Sequence, residues 1–209
     1  TEFGGCKATR SLHVPPGPDQ LVAKHEMQRE LGRRTGTCFK RCVGLDAIGA
    51  CHSVTFDMDA ERGTDYHQRF LAFLKRAQNA NIVIGGAMTD PKGDRSKAPH
   101  QQSDLDLFLR VLRRDDKGIY VSGAKLHQTG AVNSHWLIFM PTMRMTEADK
   151  DWSVVGAVRV DAPGLTYVVG RQTNDTRIVD GGALDAGNAQ FAGQEALIAR
   201  LRHEAELRD

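Results

Sequence analysis

No stretch of this sequence comes near the ~20 consecutive apolar residues that a helix needs to cross a bilayer. The first residues, T-E-F-G-G-C-K, lack the basic-then-apolar layout of a secretory signal. These two absences set the expectation of a cytoplasmic protein with no membrane partner. An excess of one charge is missing as well. Lys and Arg number 28 against 26 Asp and Glu, a net charge of +2, which gives no electrostatic reason to expect nucleic acid. The pairs Arg33–Arg34 and Arg113–Arg114 are isolated and read as solvated faces. Cysteine is scarce: four residues, at 6, 38, 42 and 51, make a poor disulfide framework for 209 residues. In a reducing compartment a close pair points instead to metal binding or catalysis. Internal repeats, low-complexity segments, the G-x-G-x-x-G fingerprint and the P-loop are also absent, and no βαβ unit is visible, which excludes a Rossmann site.

What is present is an ordinary globular composition, 40% hydrophobic and 26% charged, long enough for one large domain or two small ones. Its character changes near residue 81. Before that point the pattern is helical. Residues 20–34 are rich in Glu, Lys, Arg, Gln and Leu, all good helix formers. C-V-G-L-D-A-I-G-A-C-H-S-V-T-F places Val43, Ala47, Ala50 and Val54 on one apolar face, though its glycines and β-branched residues make it weak without packing. Y-H-Q-R-F-L-A-F-L-K-R-A follows a Thr64-Asp65 cap signal, with Phe70, Phe73, Leu74 and Ala77 on one side.

Beyond residue 81 the reading turns to strands. N-I-V-I-G-G-A-M-T is a short apolar run, and L-F-L-R-V-L-R-R and G-I-Y-V-S-G-A-K flank D-D-K-G, a hairpin signal. H-W-L-I-F-M-P-T, W-S-V-V-G-A-V-R-V and L-T-Y-V-V-G complete a set that predicts an antiparallel barrel or sandwich. The last residues, E-A-L-I-A-R-L-R-H-E-A-E-L-R, return to a helical pattern with Leu197, Leu201, Ala205 and Leu207 in a stripe.

Three stretches carry candidate chemistry. In T-G-T-C-F-K-R-C-V-G, Cys38 and Cys42 sit one helical turn apart, so their Cβ atoms would lie ~5–6 Å from each other. That spacing suits two corners of one metal cluster, and it equally suits two buried thiols on an apolar face. Cys51 lies about 180° further round the helix and His52 roughly 80° off the face. Cys51 reads as a small buried residue, and Cys6 falls in a segment with no helical signal. The second stretch, T-D-P-K-G-D-R-S-K-A-P from Thr89, mixes hydroxyl, acidic and basic residues directly after an apolar run. Such a loop can aim N–H groups and cations at a phosphate or at the polar edge of a ring, although the composition also fits a solvated surface loop. The third, G-A-K-L-H-Q-T-G-A-V-N-S-H, gathers His127, Gln128, Thr129, Asn133, Ser134 and His135 at a strand–loop–strand junction. Neutral amides and hydroxyls there suit an uncharged heteroaromatic ring better than a phosphate.

Taken together, A-M-T-D-P-K-G-D-R, G-A-K-L-H-Q-T-G-A-V-N-S-H and C-F-K-R-C resemble the flavin-dependent 4-hydroxyphenylacetate 3-hydroxylase superfamily. G-R-Q-T-N-D-T-R and G-N-A-Q-F-A-G-Q-E-A are similar to it too, and the resemblance spans residues 20–198. The cysteine pair favours the 4-hydroxybutyryl-CoA dehydratase branch over the hydroxylases, since a monooxygenase needs no cluster.

The resemblance implies an α+β, acyl-CoA-dehydrogenase-like architecture. A partial N-terminal helical domain over 1–80 would precede a flavin-binding antiparallel β-barrel or sandwich over 81–198, with an atypical charged helical tail over 199–209 and the C-terminal bundle absent. It implies that Met88, Thr89, Asp90, Lys92, Gly93, Asp94 and Arg95 line FAD and that His127, Gln128 and Thr129 touch its isoalloxazine ring. It also implies that Cys38 and Cys42 are two of four ligands of a [4Fe-4S] cluster, the other half being supplied from the bundle. The family reaction would be dehydration of 4-hydroxybutyryl-CoA to crotonyl-CoA, with isomerisation of vinylacetyl-CoA. The partners implied are an acyl-CoA substrate and either a homo-oligomer or a companion chain that supplies the bundle. Two alternatives stand beside this: a piece of a flavin-dependent 4-hydroxyphenylacetate 3-hydroxylase-type monooxygenase, and a non-catalytic truncated remnant. Whether the chain is an enzyme on its own stays open, because the resemblance places part of the active site outside it.

Overall fold

The structure is a computed structural model that describes residues 2–3, 6–36, 42–116, 118–128, 130–169 and 197–201. Three helices dominate the first part: α1 (Pro18–Thr35), α2 (Cys42–Arg62) and α3 (Tyr66–Asn79). Helix α1 begins with Pro at its first position and ends on Gly36 in the left-handed conformation, φ 65°, whose N–H closes on Gly32 C=O at 2.9 Å. This is the usual Pro-start, Gly-stop asymmetry. The start of α3 is capped differently from the sequence expectation. Asp65 occupies the cap position without a side-chain bond. Instead the Asp59 carboxylate, from α2, accepts from Thr64 Oγ1 at 2.6 Å and from the N–H groups of Tyr66 and His67, each at 2.9 Å. The orphan amides of α3 are thus satisfied from the preceding helix, which also fixes the α2–α3 turn.

The described residues divide into two compact units, the first comprising those up to 86 and 130–138, the second those from 87 to 128 and from 139 to 201. Residues 84–86 and 130–138 cluster with the helices. In the first unit, β1 (Glu2–Phe3) and β2 (Cys6–Lys7) pair antiparallel. The buried side of α2 is Ala47 and Ile48, with Gly44 beside them, while Ala50 and Val54 face solvent. Of the expected face, Ala47 is buried, Ala50 and Val54 are corrected to exposed positions, and the side chain of Val43 lies outside the described residues; Gly44 and Ile48 turn inward because α2 uses a glycine to approach a strand. Gly44 meets Ile84 of β3 (Ile84–Ala87) so closely that a Cβ there would overlap the Ile84 carbonyl oxygen. Strand β3 neighbours β6 (Trp136–Phe139), and Gly85 leaves room for Ser134 and Leu137. Phe73 of α3 packs edge-on against Trp136 at 5.5 Å.

The second unit contains β4 (Arg110–Asp115), β5 (Gly118–Lys125), β7 (Gly156–Arg159), β8 (Leu165–Val169) and β9 (Leu197–Leu201). The expected hairpin is present, with Asp115 opposite Gly118 and a bulge between Val111 and Arg113. Four strands run in the order β4-β5-β9-β8, and neighbours in this sheet are antiparallel. An isolated parallel bridge joins Phe108 to Ala124. It is permitted by Gly123 at φ 135°, where a Cβ would lie 2.5 Å from Phe108 O.

Two expectations are corrected here. Of the expected barrel or sandwich, the barrel is corrected: among the described residues the strands do not close, because β8 pairs with β9 and not back with β4. Alternation of apolar residues reports a half-buried strand and says nothing of whether a sheet curls to meet itself. The terminal stretch is also not helical where it is described. Residues 197–201 form β9, with Leu201 opposite both Gly123 and Leu165. Two flanking strands hydrogen-bond this segment on both edges, and that overrides a helix propensity worth only tenths of a kcal/mol per residue. Residues 202–209 lie outside the described residues.

The α2–β3 contact makes a prediction. Ala is a better helix former than Gly by about 1 kcal/mol, so Gly44→Ala would stabilise a free helix. Here it should destabilise the protein by about 1–3 kcal/mol through overpacking, read as a lower urea midpoint.

Candidate functional site

The site is organised by the residue that ends β5. Lys125 is 4% exposed. Its Nζ donates to Asp90 Oδ1 at 2.5 Å, to Met140 C=O at 2.8 Å and to Met88 C=O at 3.2 Å. An ammonium has three N–H donors, so all are used. Burial draws the Lys125 pKa below its ordinary value, and the Asp90 carboxylate opposes that shift. The other oxygen of Asp90 accepts from Thr142, from its N–H at 3.3 Å and its hydroxyl at 3.0 Å. One ion pair, with side chains 5% and 8% exposed, thereby ties together three segments: 88–90, the end of β5, and 140–142.

Backbone contacts follow the same junction. Leu126 N–H donates to Thr89 C=O at 2.8 Å, and Met140 N–H to Ala87 C=O at 3.4 Å. The Thr89–Arg95 loop and the segment leading to His127 and Gln128 are therefore neighbours; Thr129 lies outside the described residues. His127 takes a left-handed conformation, φ 56°, and is exposed. The next residue turns inward. Gln128 is 2% exposed, and its Nε2 donates to Leu126 C=O at 2.5 Å. Its Oε1 is buried with no hydrogen-bond partner among the described residues. A buried acceptor left without a donor is rare in folded proteins and marks a place where another group completes the bond.

The rest of the loop is shaped by Gln102, also buried. Its Oε1 accepts from Asp94 N–H at 3.0 Å, and its Nε2 donates to Asp94 C=O at 2.9 Å and Lys97 C=O at 3.1 Å. The amide engages the loop backbone on both sides, as a neighbouring strand would. Gly93 has φ 50°, and a Cβ there would lie 2.5 Å from Leu107 Cδ2 and 2.7 Å from Gln102 Oε1. Asp94 accepts from the hydroxyl of Ser96 at 2.7 Å and its N–H at 3.0 Å, which hold its carboxyl below the ordinary range, with Lys97 3.4 Å away. Met88 and Thr89 are exposed. Lys92 and Arg95 are exposed too and make no ion pair among the described residues. Asp90 and Asp94 are thus spent on building the loop, while Met88, Thr89, Lys92 and Arg95 face outward.

Immediately after the loop, His100 meets Asp149, which is fully buried. It accepts from His100 Nδ1 at 2.8 Å, His100 N–H at 3.2 Å, Thr146 Oγ1 at 2.7 Å and Thr146 N–H at 3.0 Å. Burial raises its carboxyl pKa, but the bonds from His100 and Thr146 outweigh burial and hold it far below the usual carboxylate range.

The other candidates lie elsewhere. His135 accepts Val83 N–H on Nδ1 at 2.9 Å, and Ser134 donates its hydroxyl to Gly130 C=O at 2.7 Å, so both are used on backbone within the first unit. Cys38 and the side chain of Cys42 lie outside the described residues. Cys51 is a free, half-buried thiol whose pKa is pushed up by burial, and His52 meets His67 edge-on at 4.9 Å. Among the described residues no group of three or more His, Cys, Asp or Glu is placed to hold a metal ion, and no helix is long and apolar enough to cross a membrane. Sequence reasoning missed Lys125, Thr142 and Gln102. The available signal was a lysine closing the apolar run G-I-Y-V-S-G-A-K: a charge at the end of a buried strand calls for a buried partner.

Residues 1–199 match the family model described as 4-hydroxyphenylacetate 3-hydroxylase N terminal, and the chain belongs to that family. The curated 4-hydroxybutyryl-CoA dehydratase/vinylacetyl-CoA-Δ-isomerase of Clostridium aminobutyricum is 50% identical over 93% of this chain. A solved oxygen-tolerant archaeal 4-hydroxybutyryl-CoA dehydratase from N. maritimus is 58% identical over 94% of it, with a TM-score of 0.81. More distant is the oxygenase component of 4-hydroxyphenylacetate 3-monooxygenase solved with FAD. At 15% identity and a TM-score of 0.70 it shares the fold. The chain spans 40% of the length of each of these three relatives.

Two outcomes are expected. Gly93→Ala should lower stability by about 1–3 kcal/mol, because it combines a left-handed φ with overlap of Gln102, and urea denaturation reads this. A carboxyl depressed in the folded state, as in Asp149, contributes stability above the unfolded range near about 4, and that contribution is lost as pH falls below it. The thermal midpoint should therefore drop below pH ~4, with a shallower drop in Asp149→Asn. An equal slope in both proteins would contradict the Asp149 assignment.

Proposed function

We propose that this chain is the flavin-holding part of a 4-hydroxybutyryl-CoA dehydratase, converting 4-hydroxybutyryl-CoA to crotonyl-CoA and isomerising vinylacetyl-CoA when the remainder of the enzyme is supplied. The observation that carries the flavin reading is the buried, partnerless Oε1 of Gln128 at the junction held by Lys125 and Asp90. An N–H on the edge of a heteroaromatic ring satisfies such an acceptor, and the surrounding residues fit FAD in kind. Gln128 and His127 would meet the ring edge, Met88 and Thr89 would lie along it, and Lys92 and Arg95 would offer cations to the phosphates. The choice of the dehydratase over the monooxygenase reading rests on identity, 50% and 58% against 26% for the curated oxygenase component from Geobacillus sp..

The cluster half of the reading rests on the spacing of Cys38 and Cys42 in the sequence and on the family resemblance of the C-F-K-R-C stretch. Two thiolates from this chain would leave the remaining ligands to the rest of the enzyme, together with the acyl-CoA site and the subunit or companion contacts. When bound, the flavin supplies one-electron chemistry and the cluster a Lewis-acid iron for removing an unactivated hydrogen and the hydroxyl. What this chain's own residues contribute is narrower. Gln128 offers a buried acceptor, Gly93 and Gln102 fix the loop backbone, and the Lys125–Asp90 pair holds the two loops at one junction.

Fluorescence titration of the 209-residue chain with FAD tests this. Saturable binding is expected for the wild type, and at least ~10-fold weaker binding for Gln128→Leu, the equivalent of about 1.4 kcal/mol for one lost buried hydrogen bond. Equal binding by the two proteins, or none by either, would count against the flavin reading.

A further inference from the structure

We infer that Lys125 is the positioning residue of the flavin junction. Through Asp90 and the carbonyl of Met88, its ammonium sets the path of the 88–90 backbone against Leu126–Gln128. This rests on the flavin reading above and deepens it, since Lys125 touches no candidate ligand atom itself.

Three observations support the assignment. First, Lys125 cannot serve as a base or as a ligand contact, because all of its donors are committed, to Asp90 Oδ1, Met88 C=O and Met140 C=O. Second, these acceptors come from two segments far apart in sequence. No other hydrogen bond among the described residues reaches the Met88 and Met140 carbonyls. A strand ladder would normally satisfy such buried carbonyls, and here one ammonium does so. Third, the arrangement sits one residue before Leu126, whose N–H fixes Thr89, and three before the partnerless Gln128 Oε1. A change in where Nζ sits is transmitted along a short, buried stretch to the acceptor that is offered to the ring. The charge is balanced locally by Asp90, so the device places backbone without adding a net field.

A merely structural salt bridge makes a different forecast, and the two can be separated. Removing one partner leaves an uncompensated buried charge, whereas removing both leaves a neutral cavity. In the 209-residue chain, Lys125→Met and Asp90→Asn should each lower the thermal midpoint. The double variant Lys125→Met/Asp90→Asn should recover most of that loss, yet it should still bind FAD at least ~10-fold more weakly than wild type. Its bound flavin should also show an absorption band shifted from that of wild type, because the Met88 and Met140 carbonyls have lost their donor. A double variant that binds FAD with the affinity and spectrum of wild type would overturn the assignment. If the wild type binds no FAD, the flavin reading itself fails, and amide hydrogen exchange then decides the positioning role. Exchange of the Leu126 amide at least ~10-fold faster in the double variant, at a recovered midpoint, would support it, and unchanged exchange would overturn it.

Discussion

One buried ion pair governs the site described here. Lys125 and Asp90 are both nearly closed to solvent, and neither is left with an idle polar atom. Such pairs add little net stability compared with an apolar replacement, because desolvation consumes most of the attraction. What they add is uniqueness. An ammonium with three filled acceptors tolerates only one arrangement of the segments that supply them, and the segments here are the loop after β3, the end of β5 and the turn after β6. The loop features follow from that arrangement. Thr89 can reach Leu126 because Met88 and Asp90 are held on either side of it, and Gln128 is buried because the chain turns at the left-handed His127 immediately before it.

The sequence was informative where local chemistry decides structure. The hairpin around D-D-K-G, the short apolar strands and helices α1 and α3 are determined by turn residues, alternation and propensity, and all of them sit where those signals place them. The failures share a cause as well. Helix α2 turns its Gly44–Ile48 side inward because Ile84 lies against Gly44, a contact forty residues away in sequence that no periodicity encodes. The L-I-A-R-L segment is a strand because two other strands flank it. Sheet closure depends on which strand pairs with which, and alternation is silent on that.

The same distinction applies at the site. Polar loops next to apolar strands stood out as candidate binding elements, and the family motif was legible in Ala87–Arg95 and Gly123–His135. The division of labour within those motifs was not. Asp90 and Asp94 look like ligand-facing acids in sequence, yet their carboxylates are spent on Lys125, Thr142, Ser96 and Lys97. Gln102 carries no sequence signal at all, although its amide shapes the whole 93–97 turn. Residues of this kind are recognised only through their partners, and the partners are distant in the chain.

The strand order β4-β5-β9-β8 has a consequence for how the protein is made. During synthesis β5 and β8 emerge well before β9, the strand that lies between them. Until residue 201 has left the ribosome, two neighbouring edges carry unpaired N–H and C=O groups, and such edges invite pairing with other chains. The second unit should therefore complete its sheet late, after a non-local closure that is slow compared with the helices of the first unit. Nascent chains halted between residues 169 and 197 would be the ones most exposed to aggregation.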